Sequence, residues 1–149
     1  GDNQIVLKRA FRAPPELVFD CYTTPELVSR WMTGPEGWHF DTCEIDLRPG
    51  GHYRYVWRGP DDVLMGMRGT YHEIMRPRRL VSSEIFDEGF GMGRMLVSLA
   101  LAGDEDNTTV EQTILFESRA ERDAAIATGM AEGMGMSLDS LERLLVELL

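Results

Sequence analysis

The chain has 149 residues, of which 43% are hydrophobic, and a formal net charge of -10 at pH 7. This length and hydrophobic content predict one globular domain over residues 1–149 and exclude a disordered chain. The excess of acidic residues argues against nucleic acid and anionic membrane surfaces as partners, because basic residues supply most of the affinity for both.

The cysteines and the start of the sequence predict a cytoplasmic protein. Cys21 and Cys43 form no Cys-x-x-Cys motif. Two reduced thiols are therefore expected rather than a disulfide framework or a zinc cage. The first four residues are polar and acidic and do not resemble a signal peptide. No run of about 18 apolar residues is present, so membrane insertion is not expected.

The N-terminal part of the sequence predicts a strand followed by two short helices. Gln4 to Arg12 is short, rich in apolar residues and alternates imperfectly between apolar and polar residues, which indicates a strand. Pro14-Pro15 and then Thr24-Pro25 each mark the start of a helix, because proline is tolerated in a first helical turn.

The middle of the chain predicts an antiparallel meander, because short alternating segments are separated by turn signals. The predicted strands are 38–47, 52–58, 63–74, 80–86, 94–102 and 108–116. The glycine-rich loop 87–93 is predicted to be either a mobile lid or an ordinary hairpin loop.

The C-terminal part predicts one long amphipathic helix. Ser118-Arg119-Ala120-Glu121 has the capping-box pattern, and apolar residues then recur with helical spacing as far as Leu149. One continuous helix of this span would be about 46 Å long. Gly129, Gly133 and Gly135 weaken it by roughly 1 kcal/mol each, so packing must compensate.

These elements predict an α+β fold in which a curved antiparallel sheet of six or seven strands wraps around the C-terminal helix. A single sheet has one face to cover, and one long apolar helix is available to cover it. Because strands twist, the sheet is expected to bend around the helix. Such an arrangement leaves room for a cavity between them.

Several segments, in this order and spacing, resemble one family. They are Arg30-Trp31, Asp46–Gly51, Arg58-Gly59-Pro60-Asp61, Arg68–Ile74, Gly129–Gly133 and Ser137–Leu141. Together they are similar to the bacterial proteins that resemble the C-terminal domain of the activator of the heat-shock-protein-90 ATPase, in the START-like (SRPBCC) superfamily. The resemblance covers about residues 5–149 and implies a helix-grip fold with a hydrophobic pocket between the sheet and the long helix. Met32 and Met134 stand where the family often has tryptophan, so the shape of this pocket is expected to differ.

A set of polar and apolar residues is predicted to line this pocket. Glu84, Gln112 and Arg54 alternate with apolar neighbours, so each needs a partner if its strand face points inward. They would then orient a ligand, and an inward Glu84 could act as an acid or base. The alternative is that these faces are exposed or that the groups pair with each other. The apolar candidates, each of which could equally be ordinary core, are Trp31, Met32, Tyr55, Trp57, Met67, Phe90, Met95, Met130 and Met134.

No motif indicates a metal, a cofactor or a catalytic nucleophile. His39, His52 and His72 lie on separate predicted strands without metal-ligand spacing, so a surface location is expected. No Gly-x-Ser-x-Gly motif is present. The glycines of 89–93 lead into a strand, whereas a phosphate-binding loop leads into a helix. No cofactor is therefore expected.

Three functions are left open by the sequence. The preferred one is a non-enzymatic protein that binds a small hydrophobic or amphipathic molecule in the pocket. One alternative is an enzyme of the cyclase or hydrolase type that uses the same cavity. The other is a protein-interaction domain with a chaperone as its partner, as the family name suggests. A homodimer is also left open.

Overall fold

The computed structural model describes residues 2–33, 36–87 and 93–149. In these ranges the chain forms seven strands and four α-helices, with a short 3-10 turn at Pro60–Asp62. In chain order the elements are β1 (Gln4–Phe11), α1 (Pro15–Thr23), α2 (Pro25–Trp31), β2 (His39–Ile45), β3 (His52–Arg58), β4 (Leu64–Met75), β5 (Arg79–Phe86), β6 (Met95–Gly103), β7 (Thr108–Leu115), α3 (Arg119–Ala127) and α4 (Met130–Leu148).

The strands form one antiparallel sheet in the order β1-β7-β6-β5-β4-β3-β2. The chain starts at one edge as β1 and crosses to the opposite edge through α1 and α2. It then returns strand by strand until β7 pairs with β1. The predicted meander, with two short helices after the first strand, is confirmed.

The register defines which residues face the helices. Tyr53 on β3 lies opposite Gly69 on β4, Gly69 opposite Glu84 on β5, and Glu84 opposite Met95 on β6. Side chains alternate between the two faces of a strand, so residues two positions away share this inner face. The inner face carries the large buried side chains of β3, β4 and β6.

Two register shifts bend the sheet. They fall between Phe40 and Thr42 in β2 and between Tyr71 and Glu73 in β4. A bulge sets two residues of one strand against one residue of its partner and increases the local twist. The sheet therefore curves around the helices, which is the predicted helix-grip fold.

The prediction of one continuous C-terminal helix is wrong, because the structure has two helices there. α3 begins after Ser118, whose Oγ accepts a hydrogen bond from the Glu121 amide at 3.1 Å, as the capping box predicts. The helix then breaks at Gly129, which has a φ of 84°. Glycine adopts this left-handed conformation without the strain that a Cβ atom introduces. α4 has 19 residues and is therefore about 28 Å long.

Two hydrophobic clusters hold the layers together. The larger one joins α1, α2 and α4 to the sheet, and its fully buried members include Phe19, Val28 and Leu141. The smaller one lies at the other end of the sheet and consists of Met95, Val97, Ile114, Phe116 and Ala125. Met130 and Met134 of α4 pack against this smaller cluster.

Candidate functional site

A cavity of about 480 Å³ lies between the sheet and α4. Small-molecule sites in proteins typically measure roughly 300–1,000 Å³, so this volume suits a ligand. Members of both hydrophobic clusters line the cavity, which lies at the junction between them.

The structure brings most of the predicted site residues to this wall. They are Trp31, Met32, Tyr55, Trp57, Met67, Glu84, Met95, Gln112, Met130 and Met134. That they bind a ligand stays a prediction. Phe90, like most of the loop that we predicted as a lid or a hairpin loop, lies outside the described residues.

Arg54 does not lie on the wall of the cavity, so the prediction that it faces a ligand there is wrong. Its strand neighbours Tyr53 and Tyr55 point inward, and alternation therefore turns Arg54 to the opposite face. There its Nη1 and Nη2 donate hydrogen bonds to the two carboxylate oxygens of Asp87 at 2.8 and 2.7 Å. These bonds hold the pKa of Asp87 below its usual range. Arg54 thus belongs to a separate polar depression on the outer face.

Aromatic side chains of β3 and β4 form one side of the cavity. The ring centroid of Tyr53 lies 5.0 Å from that of Tyr55 and 4.8 Å from that of Tyr71. The rings of Tyr55 and Trp57 are 5.8 Å apart. Gly69 makes this arrangement possible, because a Cβ atom at that position would collide with the ring of Tyr53.

Two tryptophans connect the helical corner to the sheet and fix the wall in place. Nε1 of Trp31 donates a hydrogen bond to the carbonyl of Cys21 at 2.7 Å, and Nε1 of Trp57 donates to the carbonyl of Met32 at 2.8 Å. The Trp31 ring also packs edge-on against Tyr22, at 4.8 Å between centroids. Because both indole groups are satisfied by backbone, their rings are held in one orientation and the wall is preformed.

Glu84 is the one carboxylate on the described wall, and that wall carries no lysine, arginine or histidine. Burial among apolar groups disfavours its charged form and raises its pKa from 4.5 to about 7. A hydrogen bond from the hydroxyl of Tyr53 acts in the opposite direction and limits the rise. Glu84 can therefore gain or lose a proton close to neutral pH.

Several neutral polar groups border the same space. The hydroxyls of Tyr53 and Ser82 share a hydrogen bond at 3.0 Å. The Tyr22 hydroxyl is buried and has no hydrogen-bond partner among the described residues. Gln112 of β7 and Ser137 of α4 also lie on the wall. A buried hydroxyl without a partner is costly to stability, and the Tyr22 group is therefore an unfavourable element of this fold.

The cysteines and histidines singled out in the sequence do not line the described wall of the cavity. Burial raises the pKa of Cys21 and of Cys43 to about 11, so both are thiols rather than thiolates at neutral pH. His39, His52 and His72 are exposed. Across residues 2–33, 36–87 and 93–149 no group of three or more histidines, cysteines and acidic residues is placed to hold a metal ion. No helix of that same part is long and apolar enough to cross a bilayer.

Some wall residues were not predicted, above all Tyr22, Tyr71, Ser82 and Gly133. Tyr71 and Ser82 share strand faces with residues that were predicted, so the two-residue period could have found them. Tyr22 and Gly133 lie on helices. No signal in the sequence distinguishes their helix faces from ordinary core.

Comparison with known proteins gives a consistent family assignment. The family model described as Activator of Hsp90 ATPase homolog 1-like protein matches residues 12–146. A solved structure from Rhodobacter sphaeroides is 30% identical, covers 100% of this chain and 96% of its own, and has a TM-score of 0.92. One from Nitrosomonas europaea is 25% identical, covers 99% of this chain and 96% of its own, and has a TM-score of 0.87.

The fold is also that of an AHSA1-like protein from Aeromonas hydrophila, which is 21% identical, with 95% and 93% of the two chains covered and a TM-score of 0.74. A search of curated proteins finds no match. Since the family model spans nearly the whole sequence, the chain belongs to the Activator of Hsp90 ATPase homolog 1-like family.

Proposed function

We propose that this protein binds a small hydrophobic or amphipathic molecule in the cavity between the sheet and α4. This proposal rests mainly on the unfilled space of about 480 Å³ next to a tightly packed core. Protein interiors pack almost as densely as organic crystals, and a void of this size requires a reason. An apolar wall supplies affinity through burial, at about 25 cal/mol per Å².

The hydrogen bonds of Trp31 and Trp57 to backbone support this proposal. They hold large aromatic surfaces at the cavity without relying on a ligand. A wall that is already ordered loses little conformational entropy when a ligand arrives, and this improves affinity. The polar groups at Glu84 and Gln112 would then fix the orientation of the ligand.

The tryptophans provide a direct measurement. All three tryptophans of the chain, Trp31, Trp38 and Trp57, line the cavity. Titration with the neutral apolar dye N-phenyl-1-naphthylamine is expected to quench their fluorescence saturably, to enhance that of the dye, and to raise the melting temperature. Absence of saturable binding across this dye and a panel of lipids, sterols and aromatic compounds would contradict the proposal.

A pair of variants in α4 tests whether the dye binds in the cavity. Met134→Trp places a larger ring on the cavity wall and is expected to abolish dye binding. Met136→Trp is the matched control, because Met136 is 51% exposed on the same helix and does not line the cavity. Both proteins gain one tryptophan, and circular dichroism checks that both are folded. Equal dye affinity in the two variants would place binding elsewhere.

A second candidate, an enzyme that uses the same cavity, is favoured by Glu84 beside Tyr53. A carboxyl group with a pKa of about 7 can serve as acid or base at neutral pH. Compounds that displace the dye should be incubated with the protein and recovered for mass spectrometry. Recovery of every compound unchanged would remove this candidate. A chaperone-regulating role rests on the family description and stays a prediction.

A further inference from the structure

We propose that the cavity selects ligands that carry a cationic amine on an apolar body, with the carboxylate of Glu84 as the counter-ion. This inference rests on the proposed function, because it names a ligand class for the same site. Its evidence is the charge of the wall, the surroundings of Glu84 and the tyrosine rings beside it.

The described wall of the cavity can carry a negative charge but no positive charge. Among the described wall residues Glu84 is the one with a formal charge when ionised, and none is basic. A ligand with a carboxylate or phosphate group would lose its hydration there without gaining a cation, and it would face the Glu84 carboxylate. An ammonium group would instead meet an opposite charge in apolar surroundings, where charge-assisted hydrogen bonds are strong.

No side chain of the described protein neutralises Glu84. The inner-face residues paired with it on the neighbouring strands are Gly69 and Met95, which carry no charge. The titratable groups that border the cavity with it are Tyr53 and Tyr55 of β3, Tyr71 of β4 and Tyr22 of α1. The described wall residues of α2, α4, β6 and β7 include none. Burial raises the pKa of all four tyrosines above its usual value, so they are neutral and the counter-ion has to come from the ligand.

The neighbouring aromatic rings suit a cation as well. Tyr53, Tyr55 and Tyr71 form a continuous group with centroid distances of 5.0 and 4.8 Å. The negative face of an aromatic ring attracts an ammonium group, and the attraction increases where water is excluded.

A matched series of naphthalenes separates charge from apolar burial. Affinities of 1-naphthylmethylamine, 1-naphthalenemethanol and 1-naphthoate should be measured by calorimetry at pH 8 and pH 5.5. At pH 8 we expect the amine to bind about tenfold more tightly than the alcohol, and the carboxylate to bind most weakly. At pH 5.5, where Glu84 is protonated, the preference for the amine should shrink to less than about twofold.

Two variants test whether the preference for the amine over the alcohol depends on Glu84. In Glu84→Gln the alcohol should still bind, whereas the amine should lose its advantage at both pH values. Glu105→Gln, which removes a charge from an exposed turn, should keep the advantage. For the unaltered protein, amine binding at pH 7 should release about half a proton because Glu84 ionises, and alcohol binding should release none. This measurement, made in buffers of different ionisation enthalpy, needs no variant.

The outcomes distinguish the two proposals. Failure of all three naphthalenes and of the neutral dye to bind would overturn the proposed function together with this inference. Binding of the alcohol as tight as that of the amine at pH 8, without proton release, would overturn the inference alone. Tightest binding of the carboxylate would also overturn it and would indicate a basic group on the cavity.

Discussion

The two halves of α4 perform different tasks in one continuous helix. In the second half Ser137, Leu138, Leu141, Leu144 and Leu145 are all buried, and the leucines complete the larger hydrophobic cluster. In the first half, residues 130–136, none is fully buried. Three residues of that half, Met130, Gly133 and Met134, border the cavity, which reaches Ser137 and Leu138 at the start of the second half.

This difference shows how a helix can close a core at one end and leave it open at the other. Leucine side chains fill the space between helix and sheet, and tight packing follows. Gly133 offers no side chain at the wall, and the flexible side chains of Met130 and Met134 can change rotamer to fit a ligand. We therefore expect stability to depend mainly on the second half of α4 and ligand binding mainly on the first.

The largest expected effect is on the free energy of unfolding, when one side chain in each half of α4 is replaced by alanine. Leu141→Ala removes a side chain that is 0% exposed and should lower the free energy of unfolding by about 2–5 kcal/mol. Met134→Ala should cost less than about 1 kcal/mol, because Met134 is half-buried beside an existing cavity. Urea unfolding of both variants checks this, and equal losses would show that the first half of α4 is also packed core.

The next largest effect is the pH dependence that Glu84 gives to the free energy of unfolding. Its folded-state pKa of about 7 lies above the usual 4.5, so the folded protein holds this proton more tightly than the unfolded chain. The resulting stabilisation is fully present below pH 4.5 and is lost as pH rises through about 7. Relative to Glu84→Gln, the unaltered protein should therefore lose about 1–3 kcal/mol between pH 4.5 and pH 8.

Chemical unfolding of both proteins at the two pH values measures this loss. Glu105→Gln is the control, because it removes an exposed carboxylate and should not show the same pH dependence. A constant difference between the unaltered protein and Glu84→Gln would mean that the Glu84 carboxyl is solvated like an ordinary surface group.

Two glycines near the start of α4 should respond in opposite directions. Gly129→Ala forces a side chain into a left-handed conformation and should destabilise the protein by about 1–2 kcal/mol. Gly135→Ala should stabilise it by up to about 1 kcal/mol, since a Cβ atom there meets nothing within 4 Å and alanine favours helix. Thermal melting of both variants decides this, and a lower melting temperature for Gly135→Ala would contradict the open space.

The smallest effect is expected at Tyr22. Tyr22→Phe removes a buried hydroxyl that has no partner among the described residues, so stability should stay equal or rise by less than about 1 kcal/mol. A marked loss of stability in the ligand-free variant would show that the hydroxyl has a structural partner.

The sheet was largely predictable because its signals are local. Alternating residues such as Tyr53, Tyr55 and Trp57 identify a strand with one buried face, and proline and glycine mark the turns. Local alternation cannot say which polar residue faces inward, however. Arg54 and Glu84 have the same kind of pattern, yet Glu84 borders the cavity and Arg54 pairs with Asp87 on the outer face.

The break before α4 and the cavity itself depend on tertiary packing. The sequence shows several glycines in this region, but within the described residues after β7 the left-handed conformation falls on Gly129. Backbone packing selects the position, and no local pattern encodes it. An empty space is also a property of the whole fold, because residues such as Tyr55 and Met95 would look the same in a solid core.

The pairing of the first and last strands has a consequence for how the chain folds. Gln4 lies opposite Leu115 and Phe11 opposite Thr108, and the Thr108 hydroxyl donates a buried hydrogen bond to the carbonyl of Ala13 at 2.7 Å. During synthesis β1 leaves the ribosome long before β7 has been made. Until then the backbone N–H and C=O groups of β1 have no strand to pair with. Contacts this distant in sequence slow folding, and an unpaired strand edge invites aggregation. We expect co-translational folding to be completed only after β7 has emerged.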